Sequence, residues 1–438
     1  MEKKFLDLLF KTLEENNAEY LVVRNYETLP ESVPGTDIDI VVKSSQYESI
    51  IKKLEEGVRN IGYRRWKSYP KNFGLVQVSF TPKDCRDVQD VVRIDFILDN
   101  MMWLGFDLIK PDLLWKSREM FNNISVLSDP VKTALTFLNA FLFGGKVKQK
   151  YLSEYADMDL ENRKNVDELL AGSFGVYGKV VVDSLHSGKV DSLNTTKLRY
   201  SFLKTRGANA RDILSGLLSW FKTDLNRALS PPGLFVVLIG PDGSGKSTIN
   251  EMIQTRCKRL FAGVDSFHLF PKPKVFYFID KISGKRWNKR QATSSEWELR
   301  SRDFPAWKSI ARGLYQLLRF WAGYWLWIYP RLVKGHLVIG ERWNYDLLLD
   351  PASKGIDLPL WVRKIFFALC PRPHKTLSFC GSASKMAERK KELPVAEIER
   401  QIDKMKELLE GRKRVYFINS TEEKDKTFED SLSALTEN

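Results

Sequence analysis

Nine consecutive residues, Gly240-Pro-Asp242-Gly243-Ser244-Gly245-Lys246-Ser247-Thr248, carry the most legible chemistry in this sequence. They fill the template G-x-x-x-x-G-K-[ST] between an apolar run at 234–239 and a helix-like stretch from Ile249 to Gln254. A strand, a turn of backbone N–H groups and a helix N-terminus are what a phosphate-binding loop requires. Gly240, Gly243 and Gly245 permit backbone dihedrals that a side chain forbids. Lys246 offers a point charge to the β- and γ-phosphates, and the Ser247 hydroxyl is placed to ligand Mg2+. A chance glycine-rich turn would not sit between that strand and that helix. Binding of a nucleoside triphosphate is the expectation.

Two later clusters could complete a phosphoryl-transfer site. The strand-like run 336–340 delivers Glu341-Arg342-Trp343 at its carboxyl end, the edge of an open α/β sheet where ligands bind. A carboxylate there can hold a metal's hydration shell or take a proton, and the guanidinium can grip a phosphate in two places. The competing reading is a surface ion pair. The helix beginning near Ser382 ends in Arg389-Lys390-Lys391, suited to a lid over a transferring phosphoryl group, with Arg400 one helix later. A solvated basic helix end is the alternative.

A third cluster lies near the N-terminus. Asp37 and Asp39 are two apart on a strand-like run and Asp95 sits on a later one, the pattern of a divalent-metal site built from oxygen ligands. A solvated strand edge with a structural Asp95 is the bland reading.

The elements that must position these groups divide the 438 residues into three expected parts. Residues 1–110 alternate helix and strand patterns. Residues 111–229 read as mostly helical, including an apolar helix at 130–143 and a linker-like stretch at 187–196. Ser230-Pro-Pro-Gly233 marks entry to residues 230–438, an α/β domain with a parallel sheet. The aromatic run 313–329 is interrupted by charge and is too short to span a bilayer, so a buried core helix is expected, with an interfacial contact as the alternative.

Hydrophobic content of 43% and charged content of 28% describe an ordinary globular chain. Four cysteines without C-x-x-C spacing give neither a disulfide framework nor a zinc site, and the first residues lack the apolar run of a signal peptide. A cytoplasmic protein is expected. The net charge of +14 points to phosphate-rich substrates or an anionic surface. No zinc-finger, RNA-binding or zipper pattern supports sequence-specific nucleic-acid binding.

The ordered set of phosphate loop, Glu341-Arg342-Trp343 and basic Arg389-Lys390 resembles the thymidylate kinase family over about residues 233–425. That resemblance implies ATP and Mg2+ as cofactors and transfer of the γ-phosphoryl group to a nucleoside monophosphate of the dTMP type. It also implies that Asp242 contacts the acceptor's sugar hydroxyl. Glu341 stands where that family has Asp. Residues 1–110 resemble the nucleotidyltransferase superfamily through Asp37, Asp39 and Asp95, although Arg24-Asn25 occupies the place of its Gly-Ser pair. This implies an α+β fold for the first domain. The fusion also resembles kinase-like proteins linked with bacterial surface-polysaccharide synthesis. A sugar or lipid-linked glycan acceptor stays open, as does nucleotidyl transfer with the phosphate loop as a switch. Peripheral membrane contact and a homodimer are the remaining partner expectations.

Overall fold

The computed structural model describes residues 2–33, 35, 37–71, 74–144, 147–271, 305–390 and 394–437. Lys391 falls outside the described residues. The chain forms two compact units, one of Met1–Lys83 with Gln89–Leu229 and one of Asp84–Val88 with Ser230–Asn438.

Among the described residues, unit 1 has nine strands: β1 (Tyr20–Val22), β2 (Ile38–Val42), β3 (Tyr63–Pro70), β4 (Leu75–Pro82), β5 (Val92–Leu98), β6 (Met102–Trp103), β7 (Phe106–Asp107), β8 (Arg118–Phe121) and β9 (Ile124–Leu127). Seven of them form a mixed sheet in the order β3-β4-β5-β2-β1-β9-β8, and β6 and β7 form a hairpin. Both faces are buried, so strand alternation sorts side chains between two cores. Val22, Ile40, Val42 and Phe96 pack with Phe5, Leu9, Ile50 and Leu54 from the helices Glu2–Glu15 and Ser44–Asn60. On the opposite face Leu21, Val41 and Ile97 share a core with Leu135, Phe137, Phe174 and Phe202. The helical stretch after residue 111 is therefore the second layer of this unit. Val190 is buried in that core, so the 187–196 stretch is a packed turn and not a linker.

Unit 2 carries β10 (Leu234–Ile239), β11 (Val264–His268), β12 (Leu337–Glu341), β13 (Lys375–Cys380) and β14 (Val415–Asn419). They make a parallel sheet in the order β11-β12-β10-β13-β14. All six residues of β10 are buried, as a central parallel strand covered on both faces must be. The aromatic run forms the helix Ala306–Gly323, a π-helical turn Tyr324–Ile328 and the helix Tyr329–Val333. The expectation of a buried core helix is corrected here. Gly313, Phe320, Gly323 and Ile328 face inward, while Leu314, Leu318, Trp321 and Trp325 are exposed. Among the described residues no helix is long and apolar enough to cross a membrane.

Candidate functional site

Three segments of unit 2 converge at the carboxyl edge of the parallel sheet. β10 lies between β12 and β13, so the loop that follows it opens where the connections diverge and a ligand crevice forms. Gly243 (φ 82°) and Gly245 (φ 77°) curl that loop in the left-handed region. A Cβ on Gly243 would stand 2.5 Å from the Met386 carbonyl oxygen, so only glycine lets the loop pass under the helix Ala383–Arg389. Lys246 opens the helix Lys246–Arg256 and is buried. Its Nζ donates to the carbonyl oxygens of Gly240 (2.8 Å) and Pro241 (2.6 Å) and to Ser244 Oγ (3.2 Å). Burial, reinforced by Arg342, pushes this ammonium down to about 8, against the pull of Asp242 and Glu341. A cation so placed gains most when a polyanion joins it. Ser247 and Thr248 are exposed at the start of the same helix, and Ser244 is buried within the loop.

The corner after β12 brings the second group. Arg342 has φ 71° and ψ −52°, and Trp343 has φ 47°, backbone conformations that L-residues avoid. Packing offsets the cost. Trp343 is almost fully buried against Phe235, Phe267 and Phe320, with ring centroids at 5.4, 5.5 and 4.7 Å, and its Nε1 donates to the Pro371 carbonyl at 3.1 Å. Trp343 is thus the anchor of the corner, and its two predecessors are presented beside the loop. Glu341 accepts from Asn250 Nδ2 at 2.9 Å and faces His268 Nδ1 at 3.1 Å. The His268 contact, then Asn250 and Lys246, hold its carboxyl below the usual range despite burial. Arg342 donates to Asp242 Oδ1 at 2.8 Å. Burial works to raise the Asp242 carboxyl, but Arg342, Lys246 and Lys390 together hold it below the usual carboxylate range.

Beside Asp242 and Arg342 lies a cavity of about 310 Å³, lined further by Asp346, Asp350, Glu397, Arg400 and Lys404. Arg400 makes a two-pronged contact with Glu397, both bonds at 2.8 Å. Asp346 is buried, raised by that burial, and partnered by Lys354 at 3.4 Å. The basic helix end splits. Lys390 stands by the loop, its Cβ 3.4 Å from a Cβ built on Gly243, whereas Arg389 donates to the Ser420 carbonyl oxygen at 2.6 Å. Asn250 and Asp346 were not singled out from the sequence. Each lies four residues after a motif residue, Lys246 and Arg342, which was the available signal.

The N-terminal aspartates take a different form from the one expected. Asp39 and Asp95 are register partners on the parallel strands β2 and β5, on the face of the helical layer. Arg24 Nε donates to Asp39 Oδ2 at 2.6 Å, Lys71 Nζ to Asp95 Oδ2 at 2.6 Å, and Gln77 Nε2 to Asp95 Oδ1 at 2.7 Å. Asp37 meets Arg93 at 3.8 Å. Burial raises the Asp39 carboxyl, and Arg24 opposes that shift. Among the described residues no group of three or more His, Cys, Asp or Glu side chains is placed to hold a metal ion. At the expected metal residues Asp37, Asp39 and Asp95, cations from the chain serve the carboxylates, and Arg24, in the place of the expected Gly-Ser pair, is one of them. Asp39→Asn with Asp95→Asn is expected to leave the number of Mn2+ ions bound, counted by electron paramagnetic resonance, unchanged. The same change should lower unfolding free energy by about 2 kcal/mol, because Arg24 and Lys71 lose their partners.

Among the remaining reactive groups, the four cysteines are free thiols, and burial pushes Cys257 and Cys370 up to about 12. Neither of these two is ionised near neutral pH.

No protein-family model matches the chain, and no curated protein matches it. Among solved structures, thymidylate kinase from Ehrlichia chaffeensis is similar over 47% of this chain and 96% of that one, at 16% identity and a TM-score of 0.30.

Proposed function

We propose that unit 2 is an ATP- and Mg2+-dependent phosphotransferase that passes the γ-phosphoryl group to a phosphorylated small molecule seated in the cavity beside Asp242 and Arg342. The observation that carries this reading is the buried Lys246 within the glycine-rich loop, whose helix reaches Glu341, 91 residues beyond Asn250, through the Asn250 side chain. The loop amides and Lys246 hold the β- and γ-phosphates. Ser247 and Glu341 are the oxygen donors available to Mg2+ or its waters, and the ion when bound neutralises charge on the phosphates.

An acceptor phosphate oxygen attacks γ-phosphorus, the bond to the β–γ bridging oxygen breaks, and ADP leaves with that electron pair. No general base is required, since the attacking oxygen is already anionic. This agrees with Asp242 and Glu341, whose lowered carboxyls make them poor bases. Arg342 orients the acceptor phosphate, exchanging part of its contact with Asp242. Lys390 adds positive charge at the loop, and Arg389 acts as a positioning residue by fixing the helix end to Ser420.

A nucleoside monophosphate of the dTMP type is the first acceptor class. A sugar phosphate is the second reading, favoured by one observation. The described lining of the cavity is carboxylates, basic groups, Gln401 and aliphatic side chains, with no ring to stack a base.

Phosphorus NMR with Mg-ATP and each acceptor class in turn tests the proposal. ADP and a new diphosphate signal are expected, with Glu341→Gln slowing turnover about a hundredfold while nucleotide still binds. Release of pyrophosphate in place of ADP would overturn it.

A further inference from the structure

The face that the aromatic helix turns outward contributes no residue to the cavity beside Asp242 and Arg342. Along Ala306–Gly323 and the π-helical turn, Ile310, Leu314, Leu318, Trp321 and Trp325 recur at helical spacing, each between 40% and 68% exposed. A π-turn carries an extra residue, so Trp325 and Leu326 both reach solvent while Ile328 stays buried. A second stripe lies alongside, on the helix Leu360–Leu369, where Trp361, Ile365 and Leu369 are each at least half exposed. The two stripes are joined. Trp321 Nε1 donates to the Leu369 carbonyl at 3.0 Å, and the Ser309 hydroxyl accepts from Asp357 N at 3.1 Å. Folded chains rarely leave an apolar surface of this extent uncovered.

Its charge states what would cover it. Residues 305–334 contain five basic side chains and no Asp or Glu, and residues 358–375 contain four basic side chains and no Asp or Glu. Lys308, Lys334, Lys364 and Arg372 among them are exposed. In a chain with 55 acidic residues, two neighbouring helical segments carry none, with Asp357 the exposed carboxylate at their junction, so the surface is predominantly positive. A second copy is a poor occupant, because a two-fold contact would set this positive face against itself. An acidic leaflet suits both features, as tryptophan and leucine enter the headgroup boundary while lysine and arginine attract the anionic lipids.

We propose that the helices Ala306–Gly323 and Leu360–Leu369 of unit 2 form a docking surface for an anionic lipid bilayer. The contact is peripheral: tryptophan rings enter the interface and the chain does not cross it.

The test is flotation of the full chain with phosphatidylcholine vesicles, with and without phosphatidylserine, together with quenching of tryptophan emission by brominated lipid. Binding to phosphatidylserine vesicles is expected, weakening steeply with salt. Leu318→Glu with Trp361→Glu should reduce it about tenfold or more, and Lys308→Glu with Lys364→Glu should do the same. All four positions are exposed, so circular dichroism and nucleotide binding should stay at wild-type values. Absence of flotation, or flotation unchanged in both variants, would overturn the proposal. So would sedimentation showing a dimer that Leu318→Glu dissociates, which would assign the face to a second copy.

Discussion

Lys246→Met is expected to reduce phosphoryl transfer about a thousandfold and at the same time to make the ligand-free protein more stable. The two effects have one cause. The Lys246 ammonium is buried among its own loop's carbonyls and beside Arg342, and its proton is held more loosely than in the unfolded chain. With a folded value of about 8 against 10.5 unfolded, the charged form carries a penalty on the order of 3 kcal/mol at neutral pH. Methionine fills the same space without that charge. The penalty is fully present below about pH 8 and fades as the pH rises toward 10.5, where both states lose the proton. The stability gap between Lys246→Met and wild type should therefore close across that window in chemical denaturation. ATP phosphates reverse the balance by supplying the missing counter-charge. Nucleotide affinity is then expected to hold steady below about pH 8 and to weaken above it, as binding begins to require proton uptake. A Lys246→Met protein less stable than wild type at neutral pH would show that the ammonium is a structural support and not a stored electrostatic cost.

How much of this was legible in the sequence differs between elements for physical reasons. The strand β10 coincides with its expected span, 234–239. Short apolar runs bounded by turn residues leave a central parallel strand few alternatives. The loop after β10 was legible because its backbone turns need glycine at fixed spacing before a helix that opens on Lys246. The aromatic helix was not. The helical spacing of Ile310, Leu314, Leu318, Trp321 and Trp325 reads as a core stripe, yet those residues face out, and only Gly313 and Gly323, which admit close neighbours, marked the inward side. The partners of the aspartates were not legible either. Spacing along β2 put Asp37 and Asp39 on one face, but what neutralises Asp95 comes from Lys71 and Gln77, and Gln77 is its register partner on β4. Pairing across a sheet is invisible in a linear pattern, and it decides whether carboxylates await a metal or already have partners.

Arg342→Ala and Arg342→Gly are expected to lose acceptor binding alike and to differ in stability, with the glycine variant the more stable by about 1 kcal/mol. At φ 71° and ψ −52° the Arg342 backbone lies where a Cβ is strained, and alanine keeps the Cβ while glycine removes it. Both variants remove the guanidinium from Asp242, so the difference between them isolates the backbone. The acceptor KM should rise about a hundredfold in each, with ATP affinity changed far less, because Arg342 lines the cavity whereas Lys246 is the residue proposed to hold the phosphates. Arg342→Lys separates charge from shape. It keeps the positive charge beside Asp242 but cannot offer two parallel donors, and an intermediate rise of about tenfold is expected. Equal stability of the alanine and glycine variants would mean that burial of Trp343 imposes no strain on its neighbour. The corner would then be a passive consequence of packing. The glycine variant being more stable would mean that the fold spends stability at this one residue to hold a guanidinium at the mouth of the cavity, and that the aromatic cluster around Trp343 is what sustains it.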